Sequence, residues 1–195
     1  MKLWLIKPAE GSAVAFIPDD SFRKAFGPAP TTVAKRKVIR EFGYTAVPLQ
    51  SGKPNAKNVE SGRQILPDML VWSWLLIFST RAIRALTAAG CAGGEFWPCR
   101  FDTNPDDEFF FFLPEKHYDI IDFEKSKFRM VLPLDPPVPI LIESLVALPL
   151  VEELPPCFHA EYPGRDIAFP DMFVRDDFKR KWEENGFTGA RFVEI

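Results

Sequence analysis

The chain has 195 residues with only two histidines and three cysteines, and one of each falls in Cys157-Phe158-His159. Residues two apart in an extended strand point to one side, so this thiol and imidazole could face each other. A nucleophilic pair of that kind needs both groups open to a cleft and a third group orienting the base. A small hydrolase or transferase using Cys157 and His159 is one reading. A cysteine and a histidine meeting by chance beside Pro155-Pro156 is the other. Cys91 and Cys99 lack the close ligand spacing of a metal knuckle, and Cys157 stands apart from both. Gly90 to Gly94 follows a helical segment instead of a strand, so it lacks the context of a phosphate-binding loop. No serine sits in a nucleophile elbow. These residues lead us to expect no catalytic residue, no metal ligand and no cofactor.

Two acidic stretches are better candidates. Asp102, Asp106, Asp107 and Glu108 precede Phe109-Phe110-Phe111-Phe112, and Glu152 and Glu153 precede Leu154-Pro155-Pro156. Acidic loops beside aromatic surface suit a basic partner, because charge raises the encounter rate and buried aromatics supply affinity. Solvated charge that only keeps the chain in solution is the plainer alternative. A net charge of −3 argues against a general polyanion binder. The basic run Lys35-Arg36-Lys37 has no interleaved aromatic on which bases could stack. The cysteines make no disulfide framework, which fits a reducing cytoplasm. The apolar run in Met1 to Pro8 is too short for a signal peptide. The longest such run, Met69 to Phe78, is broken by Ser73 and too short to span a bilayer. The expectation is a cytoplasmic protein whose partner is another protein, with no role for nucleic acid or membrane.

The elements that would carry these groups are short. The 19 prolines argue for long ordered loops and short strands over a helical bundle. The 19 phenylalanines supply the apolar area for a core or a binding face. From Phe173 to Ile195 the pattern is strand, helix, strand. Asp176 or Asp177 can cap the helix, Phe178 and Trp182 share a face, Asn185-Gly186 stops it, and Ala190 to Ile195 alternates as a half-buried strand. The same order occurs from Leu75 to Pro98, with Ser79 or Thr80 as cap, Ala82, Ile83 and Leu86 as apolar face, and Gly90 as stop. Gly90, Gly93 and Phe96 match Gly186, Gly189 and Phe192 at one constant spacing, which Ala82 and Leu86 share with Phe178 and Trp182. Such spacing marks either a duplicated unit or two independent units built from the same parts. Lys2 to Lys7, Ala13 to Ile17, Val38 to Val47, Phe109 to Leu113, Tyr118 to Phe123 and Phe128 to Leu132 read as strands, and Phe158 to Tyr162 as an edge strand. Ser21 to Gly27 reads as a short helix, and Gln50 to Gly62 and Asp102 to Glu108 as loops. The whole is an α+β fold with a mainly antiparallel or mixed sheet, few short helices and two strand–helix–strand units (about 75–98 and 172–195). The length suits one domain.

Three segments resemble a known family. Leu66-Pro67-Asp68-Met69-Leu70 runs on through Ile77-Phe78-Ser79 into a helix. Tyr118-Asp119-Ile120-Ile121-Asp122-Phe123 closes with Glu124-Lys125-Ser126. Met172 to Lys179 is followed by Gly186-Phe187-Thr188-Gly189-Ala190-Arg191-Phe192. Together they are similar to a group of bacterial immunity proteins of polymorphic toxin systems, first catalogued as a domain of unknown function, over about residues 65–195. The first 64 residues add little beyond a strand. The resemblance implies a non-enzymatic antitoxin that binds a cognate toxin protein, encoded by an adjacent gene, and carries over no catalytic residue. A structural or assembly module without a toxin is the remaining alternative.

Overall fold

The computed structural model describes residues 2–9, 14–16, 49–51, 66–72, 75–91, 93–101, 104–131, 138–149, 153–162 and 165–195. The elements are β1 (Leu3–Pro8), β2 (Val14–Phe16), β3 (Leu49–Ser51), β4 (Met69–Trp72), β5 (Leu75–Ser79), α1 (Thr80–Ala88), β6 (Gly94–Phe101), β7 (Asn104–Pro114), β8 (His117–Tyr118), β9 (Lys127–Val131), β10 (Val138–Ser144), β11 (Cys157–Tyr162), β12 (Arg165–Arg175), α2 (Asp176–Glu184) and β13 (Ala190–Glu194). The fold is α+β, with strands in antiparallel and mixed sheets. One sheet has the order β4-β5-β7-β6 and another β13-β1-β12-β11-β8, while β9 pairs β10 and β2 pairs β3.

The two larger sheets are built alike. In the first, β5 and β6 run parallel with β7 antiparallel between them, and β4 flanks β5. In the second, β12 and β13 run parallel with β1 antiparallel between them, and β11 flanks β12. The helix of each unit joins its two parallel strands. The N-terminal strand β1 thus fills in the second unit the place that β7, following β6 directly, fills in the first.

The equivalence reaches single hydrogen bonds. Ser79 caps α1, its hydroxyl accepting the Ala82 N–H (3.2 Å). Arg175 holds the matching position before α2. Both helices end in the same motif. Gly90 N–H donates to the Thr87 carbonyl (2.9 Å) and Cys91 N–H to that of Leu86 (2.7 Å). Gly186 N–H donates to Glu183 (3.0 Å) and Phe187 N–H to Trp182 (3.2 Å). Gly90 and Gly186 have φ of 70° and 61°, a backbone conformation in which a Cβ is strained.

The core between the units is paired in the same way. Its buried members form the pairs Met69 and Cys157, Leu76 and Met172, Phe78 and Val174, Ala82 and Phe178, Leu86 and Trp182, Cys91 and Phe187, and Phe112 and Ile6. The helix positions are aliphatic on α1 (Ala82, Leu86) and aromatic on α2 (Phe178, Trp182), so the α2 rings fill the space that the smaller α1 side chains leave. Phe78 reaches across to Phe178 (6.4 Å) and Trp182 (5.8 Å), and Trp182 meets Phe187 (5.1 Å). Each such ring contributes roughly 2–3 kcal/mol by leaving water. The alternation of a strand between its two faces sends Leu3, Leu5, Phe158 and Phe173 to a second core with Tyr118, Ile120, Ile121, Leu154 and Phe169.

Several expectations change. Asn104 to Glu108 is the start of β7, not loop. Tyr118 to Phe123 is not a strand: only His117 and Tyr118 belong to one, and the rest straps the second core through a lone antiparallel bridge of Ile121 to Ala147, with Asp122 N–H donating to the Val146 carbonyl and Leu148 N–H to the Ile120 carbonyl (both 2.9 Å). β11 is interior, not an edge, because β8 pairs its far side. Neither aspartate caps α2. Asp177 sits in the first turn and accepts from the Arg175 Nε (3.0 Å) and from Phe178 N–H (3.0 Å). Leu49 to Ser51 pairs with β2, so the expected loop from Gln50 begins in a strand. The expected helix at Ser21 to Gly27 and strand at Val38 to Val47 lie outside the described residues.

Candidate partner-binding surface

Of the acidic stretches, Glu108 and Glu153 lie near the starts of different helices. Glu108 is exposed, and its carbonyl accepts the Thr80 hydroxyl (2.9 Å) at the first residue of α1. Asp106 and Asp107 lie on the preceding backbone of β7. Glu153 is open to solvent at 94% of its side chain and lies 3.9 Å from the guanidinium of Arg175, at the start of α2. That guanidinium is already engaged. It donates from Nη1 to the Leu154 carbonyl (2.7 Å) and pairs with Asp177. Hydrogen bonding to Arg175 holds the Asp177 carboxyl below its usual range, and the same pair raises Arg175. Glu153 is therefore only a long, solvent-exposed partner of a guanidinium that Asp177 already holds, and its carboxylate can also meet a cation from outside. Asp102 and Glu152 lie outside the described residues.

Cys157 and His159 do share one side of β11, yet both are buried. The Cys157 Sγ contacts the Met172 Sδ (3.2 Å), and burial drives the thiol well above its ordinary value. The His159 Nδ1 donates to the Asp171 carbonyl (3.2 Å), and burial lowers the ring to about 4. A nucleophilic thiol needs the opposite: exposure, and a depressed pKa set by a neighbouring cation. Cys157 fills the core position equivalent to Met69, and its chemistry is that of a small apolar side chain. Among the described residues, no group of three or more His, Cys, Asp or Glu could hold a metal ion. No helix among them is long and apolar enough to cross a membrane.

The sequence reading missed the role of Asp68, which is 5% exposed. Its carboxylate accepts from the Ser79 hydroxyl (2.8 Å), the Arg81 Nε (3.0 Å) and Nη2 (2.5 Å), and the Thr188 N–H (3.0 Å) and hydroxyl (3.3 Å). Arg81 also lies over the Phe187 ring (5.1 Å). One side chain thus ties the first unit to the turn that leads into β13. Burial alone would raise its pKa; the bonds from Arg81, Thr188 and Ser79 outweigh that and lower it. The signal was there to read, since a carboxylate inside the apolar run Leu66 to Leu70 must find donors. The turns interlock on both sides. A Cβ on Gly189 would stand 2.2 Å from the Met69 carbonyl oxygen and 2.9 Å from the Pro67 Cβ, and one on Gly93 would stand 2.8 Å from the Pro155 Cβ.

No protein-family model matches the chain, and no curated protein matches it.

Proposed function

We propose that this chain is an immunity protein that neutralises a cognate toxin domain by stoichiometric binding in the cytoplasm. The observation that carries the reading is the resemblance of three segments to an immunity family, together with what those segments do here. Asp68, Ser79, Ser126, Phe178, Gly186 and Gly189 make the framework's own contacts: the inter-unit carboxylate, a helix cap, the strap bond from Val146 N–H to the Ser126 hydroxyl (2.9 Å), the buried α2 face and the two turns. Residues of that kind suit a scaffold whose surface is left for a partner. The burial of Cys157 and His159 removes the sequence's most enzyme-like arrangement and favours binding over catalysis. On this reading Asp102, Asp106, Asp107, Glu108, Glu152 and Glu153 raise the encounter rate with a basic partner. A tight complex covers roughly 1,600 Å² with apolar anchors inside a polar rim.

The test is co-expression with the product of the adjacent gene. That product should arrest growth alone, lose its toxicity in the presence of this chain, and co-purify with it at one to one. A neighbouring product that is neither toxic nor bound removes the reading.

A further inference from the structure

We infer that the free edge of β13 is where an extended strand of the toxin adds to the sheet; this rests on the immunity reading above. β13 ends the sheet order, and among the described residues no strand pairs its outer side. Ile195 N–H donates to the Leu3 carbonyl (3.3 Å), and Val193 and Arg191 stand opposite Leu5 and Lys7. Antiparallel pairs alternate, so Ala190, Phe192 and Glu194 turn their N–H and C=O groups away from β1. They form a ladder ready for another strand.

The molecule contains its own comparison. The equivalent edge strand β6 turns Gly94, Phe96 and Pro98 outward, and Pro98, opposite Phe110, has no N–H to offer. One edge is blunted by a proline, and the other keeps every donor.

The side chains choose the occupant. Ala190 and Phe192 pack toward the core shared with α2, so Arg191 and Val193 stand on the opposite face. Both are exposed, Val193 at 38%, and Arg191 forms no ion pair among the described residues. A strand laid beside them is complementary when it carries an acidic residue next to Arg191 and an apolar one next to Val193, two positions apart on one face. A second copy of β13 paired antiparallel about Phe192 would set each Arg191 against the other copy's Val193, cation against aliphatic, which disfavours self-pairing. The occupant is therefore a segment of the toxin with alternating acidic and apolar residues.

Glu194→Pro places a proline where β6 carries Pro98. The Glu194 N–H faces outward, so no backbone bond to β1 is lost, only the solvent-exposed ion pair of Glu194 with Lys2 (2.8 Å), and Val193 before it is already extended. With the adjacent gene's product as probe, Glu194→Pro and Arg191→Glu should each weaken binding about tenfold, with the melting temperature close to that of the wild type. Hydrogen exchange on the unmodified protein gives a readout that needs no variant: the amides of Ala190, Phe192 and Glu194 should exchange fast in the free chain and slowly in the complex. Wild-type binding with these amides still fast, and with both variants binding normally, overturns the edge site while the immunity reading stands. No binding by the wild type overturns both. Slow exchange at these amides that depends on concentration without the probe identifies a second copy as occupant and overturns the toxin strand.

Discussion

Replacing Asp68 should separate the contribution of its contacts from that of the surrounding core. The Arg81 partner is 63% exposed at the side chain, so solvent screening leaves that ion pair under about 1 kcal/mol. The bonds from Ser79 and the Thr188 amide are part-buried and charge-assisted, worth roughly 1–1.5 kcal/mol each, and an amide left without an acceptor adds a further cost. Asp68→Ala should therefore lose about 3 kcal/mol, which lowers the melting temperature of a chain this long by roughly 6–12 °C. Asp68→Asn keeps one acceptor oxygen and should lose about half as much. The pH dependence identifies the charge. The folded-state pKa is lowered, so the carboxylate's stabilisation is complete above the unfolded value near 4 and is lost as pH falls below it. Urea unfolding of wild type and Asp68→Asn at pH 7 and pH 3 should show a gap that narrows in acid. The His159 contribution is common to both proteins and cancels. A loss below about 1 kcal/mol for Asp68→Ala at pH 7, or a gap unchanged at pH 3, would refute the account of Asp68 as a charged tie between the units.

The two turn glycines should respond differently. Gly186→Ala meets open space at φ 61° and should cost only about 1 kcal/mol, whereas Gly189→Ala collides with the Met69 carbonyl at φ 96° and should cost clearly more in the same urea assay; equal costs would disprove the tight approach of the units. His159, lowered to about 4 chiefly by burial, takes up its proton later than in the unfolded chain. Stability should be full above pH 6.5 and fall by about 3 kcal/mol on acidification to pH 4, and His159→Val should flatten that slope; a wild-type curve level between pH 6.5 and 4 contradicts it. Cys157 should resist a thiol reagent in the native state and react at the rate of unfolding, followed by peptide mass spectrometry. Rapid labelling of the folded protein would restore the nucleophile reading.

What could be read from the sequence was local. Ser79 before an amphipathic run, Gly90 and Gly186 after one, and the spacing of Ala82, Leu86, Phe178 and Trp182 are decided within a few residues, because caps, stops and helical faces depend on neighbours in the chain. The common spacing of those signals already raised a duplicated unit, and the paired core gives it physical content. Other errors came from partners distant in sequence. Asp102 to Glu108 looked like loop, yet its second half is held as β7 by pairing that begins at Phe101 and Asn104. Tyr118 to Phe123 has a strand's composition, but its backbone bonds go to 146–148. The Cys157–His159 pair was legible as spacing, while burial, which decides whether a thiol reacts, depends on Met172, Val174 and Trp182 arriving from elsewhere.

By itself, then, the sequence determined α1 and α2 as helices, their glycine stops and their apolar faces, since each follows from contacts three or four residues apart, while the start of α2 was misjudged. Only the tertiary structure decided that β1 completes the second unit, that Asp68 joins the units through Thr188, and that Pro98 closes one sheet edge while Glu194 leaves its counterpart open. Those outcomes depend on which strands lie side by side, and periodicity along a single chain contains no record of its neighbours.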